Sequence, residues 1–259
     1  MTKDLIKQFH LLQNKPFSKK LGQNFILDIN ILDKIISLSG SIKDENILEI
    51  GAGVGSLSQR ILLQKPKKLI ILEKDPACVQ AVKSWIDVDI RECDALDVDF
   101  TTLFPKDKCK VIANLPYSVA SEILVRFCHA RHLIKDMTLM FQKEVGERII
   151  AKSGIKDFGR LSVIAQTCFD CKIIKIFPPS IFIPAPKVES ALVHFTPKQN
   201  VDIDLNKLSA LTQQLFSKRR KMLRHSISEA TLLKCNINPT ERVENLKLDD
   251  FFALLKVLT

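Results

Sequence analysis

NILEIGAGVG, residues 46–55, decides the fold of this chain. Its first half, Asn46–Ile50, is a short and mostly apolar run of the kind that forms a buried strand. A loop with three glycines follows, and the helix-like stretch Ser56–Leu63 begins directly after it. Because glycine lets a backbone approach a ligand closely at the start of a helix, the sequence predicts a nucleotide-type binding loop in an α/β fold.

The glycine loop departs from the dinucleotide fingerprint G-x-G-x-x-G, because Ser56 stands where the third glycine is expected. Twenty residues beyond Gly53, the apolar run Leu69–Leu72 ends in Glu73. We interpret Glu73 as a carboxylate that accepts hydrogen bonds from both hydroxyls of a ribose. A nicotinamide-dependent enzyme would share this glutamate, so these two features leave the cofactor open.

Further polar residues stand beside other predicted strands and helices. Asp94 follows the strand-like stretch Val88–Arg91 and is placed to accept a hydrogen bond from the amino group of a cofactor adenine. Asn24 lies just before the helix-like stretch Ile29–Leu38. Each would singly be read as a solvated loop residue, but the carboxyl ends of parallel strands meet at one edge of a sheet, so we expect convergence on one ligand. The predicted cofactor-binding residues are Asn24, Ile26, Gly51, Gly53, Glu73, Asp94, Ala95 and Asn114.

The tetrapeptide Asn114-Leu115-Pro116-Tyr117 follows the buried-strand pattern Val111–Ala113. The amino group of adenine is a poor nucleophile because its lone pair is delocalised into the ring. Two acceptors on its hydrogens, the Asn114 side-chain oxygen and the Leu115 carbonyl, would draw the nitrogen towards a tetrahedral geometry. Pro116 fixes the backbone, and Tyr117 offers a flat face to a base. An ordinary strand-to-helix turn, with proline at the first helical position, is the alternative interpretation.

Strand-like and helix-like stretches alternate along the rest of the first two thirds of the chain. This alternation predicts a doubly wound α/β sheet with helices on both faces. The last two strand-like stretches, Ile173–Phe177 and Ala191–Phe195, are joined by a loop, which predicts an antiparallel edge strand. The other predicted elements are the strand Met137–Phe141 and the helices Val119–Ala130, Lys143–Ala151 and Leu161–Cys168.

A domain boundary is predicted near Thr196–Asn200, where strand-like residues give way to polar ones. Apolar residues then recur at helical spacing, so residues 1–197 and 198–259 are predicted to form an α/β domain and a small helical domain. A strongly basic helix is predicted at Ser217–Arg224, either binding RNA phosphates or simply solvated. The predicted RNA-binding residues are Lys218, Arg219, Arg220, Lys221 and Arg224.

Composition agrees with a polyanionic partner. Of the 259 residues, 39 are Lys or Arg and 29 are Asp or Glu, giving a net charge of +10 that suits RNA but also serves solubility. Seven cysteines, an odd number, predict reduced thiols and a cytoplasmic protein. Cys168 and Cys171 lack the second ligand pair of a zinc site, so we predict core packing and no metal. The apolar stretch Leu5–Leu12 is too short and too polar for a signal peptide, and no membrane segment is predicted.

Five short motifs, spread along nearly the whole chain, resemble those of the ribosomal RNA adenine N6,N6-dimethyltransferases, specifically the bacterial small-subunit (16S) group. The motifs are Lys20–Phe25, Leu48–Gly55, Asn114–Tyr117, Phe182–Ser190 and Arg219–Lys221. The resemblance implies S-adenosylmethionine as cofactor, a Rossmann-like seven-stranded methyltransferase sheet and an all-helical C-terminal domain. It also implies methylation of the N6 amines of two adjacent adenines near the 3′ end of 16S ribosomal RNA, within the immature 30S subunit.

The resemblance suggests roles for individual residues as well. Phe182 lies in a loop stiffened by Pro184 and Pro186, and it is implied to cover the second face of the target adenine, opposite Tyr117. Packing of Phe182 under its loop is the alternative. The family usually has asparagine where this chain has His225, which leaves the role of that position open. A monomer is expected.

Three other functions share parts of this pattern. A large-subunit dimethyltransferase of the erythromycin-resistance type has most of the same motifs, but Arg219–Arg224 resembles the small-subunit enzyme. A non-catalytic RNA-binding assembly factor would have no need of Glu73, Asp94, Asn114 and Tyr117 together. A DNA adenine methyltransferase would differ in its substrate.

Overall fold

The computed structural model describes residues 24–105, 107–199 and 201–258. The sequence features predicted from Leu5–Leu12 and from Lys20–Gln23 lie outside these residues.

The chain divides into two compact units. The first comprises Met1–Gly146 and Lys172–Pro197, and the second comprises Glu147–Cys171 and Lys198–Thr259. The second unit therefore contains a segment that precedes the boundary predicted near residue 197. The assignment of methyl transfer to residues 1–197 and of RNA binding to residues 198–259 stays a prediction.

A seven-stranded mixed sheet dominates the described structure, as predicted. The strands are β1 (Phe25–Ile26), β2 (Asn46–Ile50), β3 (Lys68–Glu73), β4 (Asp89–Glu92), β5 (Cys109–Asn114), β6 (Ile134–Gln142), β7 (Phe169–Phe177), β8 (Phe182–Ile183) and β9 (Ser190–Pro197). The sheet order is β4-β3-β2-β5-β6-β9-β7, and β1 and β8 form a separate antiparallel pair. Neighbours from β4 to β6 run parallel, whereas β9 runs antiparallel to β6.

The antiparallel strand is not at the edge of the sheet, contrary to the prediction. The last strand along the chain, β9, lies between β6 and β7 in the sheet, so β7 forms the edge. The burial patterns explain the order, because β9 is buried along most of its length while β7 alternates between partly buried and exposed residues. Lysines at exposed positions of β7, such as Lys172 and Lys175, suit an edge strand, since they discourage pairing with another chain.

The described helices are α1 (Ile29–Leu38), α2 (Ser56–Leu63), α3 (Pro76–Lys83), α4 (Ala120–His129), α5 (Lys143–Ile150), α6 (Arg160–Cys168), α7 (Leu205–Ser217), α8 (Glu229–Lys234) and α9 (Leu248–Leu258). Helix α3 was missed from the sequence, although it carries ordinary start signals. Asp75 caps it by accepting a hydrogen bond from the Ala77 N–H at 2.9 Å, and Pro76 occupies its first turn. The two-residue strands β1 and β8 are too short for a periodic pattern to reveal.

The central strands are buried on both faces. All residues of β2 are buried, and in β3 only Lys68 is exposed, which is the pattern of parallel strands covered on both sides. Ile47 and Ile71 from these strands pack in one apolar cluster with Leu32 of α1 and Ile61 of α2. Burying one such side chain stabilises the fold by about 1.5–3 kcal/mol, so this cluster holds β2 and β3 against α1 and α2.

The predicted basic helix at Ser217–Arg224 is wrong. Helix α7 ends at Ser217, and a turn follows that leads into a single 3-10 turn at Leu223–His225. Two contacts compete with helix continuation: Met222 pairs with Arg242 in an antiparallel bridge, and the Leu223 N–H donates to the Glu241 carbonyl at 2.8 Å. The basic residues are therefore carried by a loop.

Candidate active site

One cavity of about 220 Å³ opens where β2, β3 and β5 end and where the chain leaves β4. This is the edge at which parallel α/β sheets bind ligands. The cavity brings together residues that the sequence predicted from five separate segments. The predicted residues that line it are Asn24, Ile26, Gly51, Gly53, Glu73, Asp94, Ala95, Asn114, Leu115, Pro116 and Tyr117.

The glycine loop after β2 forms one wall of the cavity, and its backbone needs glycine. Gly51 and Gly53 have φ angles of +78° and +55°, a region that other residues rarely adopt. A Cβ atom at Gly53 would also lie 2.7 Å from two ring carbons of Phe25. The loop therefore presents bare backbone to whatever fills the cavity.

Glu73 is held rigidly at the end of β3. Its Oε2 accepts a hydrogen bond from the Gly53 N–H at 3.0 Å, and its Oε1 accepts one from the Asp75 N–H at 2.8 Å. Burial raises the pKa of this carboxyl, and the hydrogen bonds from Asp75 and Gly53 oppose the rise. A carboxylate has about four acceptor positions, so each oxygen can still accept a ligand hydroxyl.

Asp94 is less buried and already paired. Lys74, which also lines the cavity, donates to Asp94 Oδ2 at 2.6 Å, and the Leu96 N–H donates to Oδ1 at 2.9 Å. The hydrogen bond from Lys74 is the main reason that the pKa of Asp94 is lowered, so the side chain is an anion at neutral pH. Sequence reasoning missed Lys74, because a lysine following a strand carries no signal of its own.

The side chain of Asn114 faces two ways. Its amide nitrogen donates to the Asn24 carbonyl at 2.9 Å, which ties β5 to the segment before β1 and leaves the amide oxygen as an acceptor. Among the described residues, the Leu115 carbonyl receives no hydrogen bond either. The Val119 N–H closes the turn by donating to the Pro116 carbonyl at 3.1 Å. Asn114 and Leu115 both line the cavity, and each therefore contributes an acceptor with no internal donor among the described residues.

Tyr117, half-buried at the cavity wall, has a partner that the sequence did not suggest. Its hydroxyl lies 2.5 Å from the hydroxyl of Ser190, a buried residue at the start of β9. Burial raises the pKa of Tyr117, and the Ser190 hydrogen bond acts in the opposite direction, so the phenol is neutral at physiological pH. No sequence pattern connects two residues that are so distant along the chain.

Phe182 is not at the cavity. It is 2% exposed and belongs to the same apolar cluster as Leu32 and Ile61. Its strand β8 pairs with β1 so that Phe182 stands opposite Ile26, and this apolar pairing draws the ring into the core. In this structure Phe182 packs under its loop, which was the alternative to stacking on a base.

Glu49, in the middle of β2, is a second buried carboxylate that the sequence did not single out. Neither of its oxygens makes a hydrogen bond among the described residues, and the side chain is fully buried. Burial raises its pKa to about 8; the nearby Ser58 hydroxyl opposes the shift without reaching hydrogen-bond geometry, and the charge of Glu73 adds to it. We therefore assign Glu49 as protonated at neutral pH.

The predicted RNA-binding residues are not equivalent. Arg219 donates to Glu244 Oε2 at 2.7 Å and also to the Lys156 carbonyl, so its charge is partly used within its own unit. Arg224 approaches Glu229 at 3.9 Å. Arg220 and Lys221 are exposed, and neither forms an ion pair within the described ranges.

Two further observations concern metals and membranes. In the part of the chain that the structure describes, no group of three or more His, Cys, Asp or Glu side chains is arranged to hold a metal ion. None of the helices described combines the length and the apolar character that crossing a bilayer requires. Cys168 is buried and Cys171 is partly buried.

The chain is similar in sequence and in fold to known ribosomal RNA methyltransferases. The family model described as ribosomal RNA adenine dimethylase matches residues 14–259. The ribosomal RNA small subunit methyltransferase A of Rhizobium johnstonii is 38% identical over 253 residues, which are 93% of this chain and 92% of the relative. A dimethyladenosine transferase from Plasmodium falciparum is 27% identical with a TM-score of 0.75, covering 88% of this chain and 94% of its own. The 23S rRNA methyltransferase ErmE, 20% identical with a TM-score of 0.63 over 91% of this chain and 99% of its own, shares the fold.

Proposed function

Because the chain belongs to the ribosomal RNA adenine dimethylase family, we propose that it transfers methyl groups from S-adenosylmethionine to the N6 amines of adenines in 16S ribosomal RNA. The observation that carries the proposal is a single cavity lined by Glu73, Asp94 and the Asn114–Tyr117 loop. Glu73 and Asp94 suit a nucleoside cofactor, and the Asn114–Tyr117 loop suits an exocyclic amine.

The donor groups fit S-adenosylmethionine. Glu73 offers spare acceptor positions to ribose hydroxyls, and Asp94 offers an anionic acceptor to an adenine amino group. Gly51 and Gly53 adopt positive φ angles that favour glycine, so this wall of the cavity offers a ligand backbone atoms without side chains. Bound there, the cofactor would supply a sulfonium-activated methyl group together with its own leaving group.

The task left to the protein is to position the amine. The Asn114 side-chain oxygen and the Leu115 carbonyl accept hydrogen bonds from the two amine hydrogens, and so draw the nitrogen lone pair out of the ring. Tyr117 holds the base by stacking, which requires the adenine to be unpaired or flipped out. No general base is needed, because the nitrogen becomes acidic only after methylation and can then release its proton to water.

We infer the target position in the RNA from the similarity to the small-subunit enzymes. We propose two adjacent adenines near the 3′ end of 16S ribosomal RNA, presented by the immature 30S subunit and methylated in the cytoplasm by a monomer. The cations between Lys218 and Arg224, foremost the exposed Arg220 and Lys221, would contact the phosphates of that RNA. Support comes from 38% identity to a small-subunit enzyme, whereas ErmE, at 20%, shares only the fold. A non-catalytic assembly factor is disfavoured, because RNA binding alone needs no cavity lined by Glu73, Asp94 and Asn114.

One experiment tests the proposal. Purified protein, radiolabelled S-adenosylmethionine and both ribosomal subunits from cells that lack the enzyme are incubated, and the labelled base is mapped; DNA duplex serves as a further substrate. We expect label on adenine N6 in 16S RNA of the small subunit. Label confined to 23S RNA or to DNA would replace the proposal by one of its alternatives, and no label on any substrate would favour a non-catalytic factor.

A further inference from the structure

The contact between Tyr117 and Ser190 links the proposed adenine-binding loop to a distant strand. The two hydroxyl oxygens are 2.5 Å apart, and the Ser190 side chain is completely buried. Tyr117 is the only tyrosine in the chain. Ser190 itself does not line the cavity, so its hydroxyl reaches the site only through the tyrosine.

Sheet register explains why these two residues meet. Asn114, the last residue of β5, pairs with Met140 of β6, and Gln142 at the end of β6 pairs with Ser190 at the start of β9. Because β9 runs antiparallel to β6, the beginning of β9 lies at the same edge of the sheet as the end of β5. The register therefore brings Ser190 to the loop that contains Tyr117.

The backbone at Ser190 is well anchored. The preceding residue, Glu189, accepts a hydrogen bond from the Lys143 N–H at 2.9 Å through its carbonyl, and its carboxylate pairs with Lys143 Nζ at 2.7 Å. The ladder with β6 holds the other side. The Ser190 hydroxyl is thus a fixed point, whereas Tyr117 belongs to a loop.

We propose that Ser190 is a positioning residue for methyl transfer, holding the Tyr117 ring in the orientation that receives the target adenine. The inference rests on the proposed function. A flat ring captures a base productively only if its plane is set before the base arrives, and a phenol hydroxyl bonded to a rigid strand sets that plane. A phenylalanine would offer the same stacking area but nothing to bond, so the hydrogen bond accounts for a tyrosine at this position.

The test compares Tyr117→Phe, Ser190→Ala and the double variant in single-turnover transfer to the RNA substrate at saturating S-adenosylmethionine. Each single change should slow transfer about five- to tenfold, the scale of one hydrogen bond, and the double variant should be no slower than either one. Ser190→Cys, which keeps a weak polar partner, should recover part of the rate. S-adenosylmethionine affinity should not change in any of them.

Thr138→Val is the matched control, since it removes another fully buried hydroxyl of the same sheet, one that bonds to His194 at 3.1 Å and does not line the cavity. It should transfer methyl groups at the wild-type rate. A normal rate in Ser190→Ala, or losses that add in the double variant, would overturn the positioning role.

A second measurement does not depend on activity. With 13C-labelled tyrosine, the chain gives the ring signals of one residue, so nuclear magnetic resonance reports on Tyr117 alone. Ser190→Ala should shift the ring-carbon signal next to the hydroxyl and speed ring flipping, whereas Thr138→Val should not. Unchanged ring signals in Ser190→Ala would overturn the inference even if that variant transfers methyl groups more slowly. Shifted signals in a protein whose wild type methylates no RNA would instead count against the proposed function.

Discussion

The cavity in the first unit and the basic loop in the second differ in how their candidate residues are held. At the cavity, Glu73 and Asn114 make hydrogen bonds of 3.0 Å or less to backbone atoms, so their acceptor atoms are fixed before any ligand arrives. In the basic loop, Arg220 and Lys221 extend into solvent, and Arg219 is bonded within its own unit. The first arrangement suits recognition of defined atoms, and the second suits a diffuse array of phosphates.

Because of this difference, we expect mutations in the two regions to have different kinds of effect. Loss of one fixed acceptor in a cavity leaves a ligand group without its partner, and the cost is concentrated in one step. Loss of one exposed cation reduces a summed electrostatic attraction, and the cost appears as a weaker dependence on salt.

The largest effect is expected at Asn114. Asn114→Ala should slow methyl transfer by about 10² or more, because it removes one preorganised acceptor for the amine. Asn114→Asp, which keeps the acceptor but cannot donate to the Asn24 carbonyl, should fall between this variant and the wild type. Single-turnover rates at saturating cofactor measure both. If Asn114→Ala retained the wild-type rate, the amine would have to be held by other groups.

A smaller effect, confined to cofactor binding, is expected at Glu73. Glu73→Ala should weaken S-adenosylmethionine binding about ten- to a hundredfold, or about 1–3 kcal/mol, through loss of two hydrogen bonds to ribose. Glu92→Ala is the matched control: Glu92 is the neighbouring strand-end glutamate, paired with Glu73 in the sheet, but it is exposed and outside the cavity. Calorimetry that found equal affinities for these two variants would remove Glu73 from the cofactor site.

In the basic loop, the expected change is in salt dependence. Neutralising Arg220 and Lys221 with glutamine should reduce the slope of log affinity for RNA against log salt by roughly 1.4 to 1.8 units, at about 0.7 to 0.9 per phosphate contact. The control exchanges the exposed Lys234 and Lys256 for glutamine, with the same change in net charge. Equal slopes for the two pairs would mean that the loop is only a solvated surface.

Arg219 should behave differently from its neighbours. Because it bonds to Glu244 and the Lys156 carbonyl, Arg219→Gln should lower the unfolding temperature, whereas the change in Arg220 and Lys221 should not. If Arg219→Gln instead altered only the salt slope, all three residues would form one phosphate-binding set, as the sequence alone predicts.

The last prediction concerns the stability of the fold and its dependence on pH. The pKa of Glu49 is about 8 in the folded protein against 4.5 without burial, so between these values the folded state binds a proton that the unfolded state has released. Stability from this group is therefore present below about pH 4.5 and is lost as pH rises towards 8. Glu49→Gln should flatten that fall, as measured by urea unfolding at pH 6 and pH 9. An unchanged pH dependence would show that Glu49 is not buried as a neutral acid.

The same contrast explains how far the sequence alone could predict the molecule. Strand ends such as Glu73, Asp94 and Asn114 were predictable, because a parallel sheet brings the ends of its strands to one edge. The partners of the cavity residues were not predictable, since Lys74 meets Asp94, Asn24 meets Asn114 and Ser190 meets Tyr117 through tertiary packing that no local pattern records. The positive charge of Lys218–Arg224 could be read from the sequence, but its loop conformation could not. That conformation depends on the bridge between Met222 and Arg242, which are distant in sequence.

Phe182 marks the limit of reasoning by motif. A phenylalanine in a proline-stiffened loop fits both a stacking role and a core role, and only its pairing opposite Ile26 decides which one this structure shows. The position of β9 in the sheet could not be predicted either, because a loop connection is compatible with an edge strand and with an inserted one.

A structure of the protein with S-adenosylhomocysteine, the demethylated product, would show directly whether this cavity is the cofactor site. We expect the ribose hydroxyls to bond to Glu73, the adenine amino group to bond to Asp94, and the sulfur to face the loop of Asn114 and Tyr117. A product molecule bound elsewhere, or bound in the cavity with its sulfur turned away from that loop, would rule out this assignment.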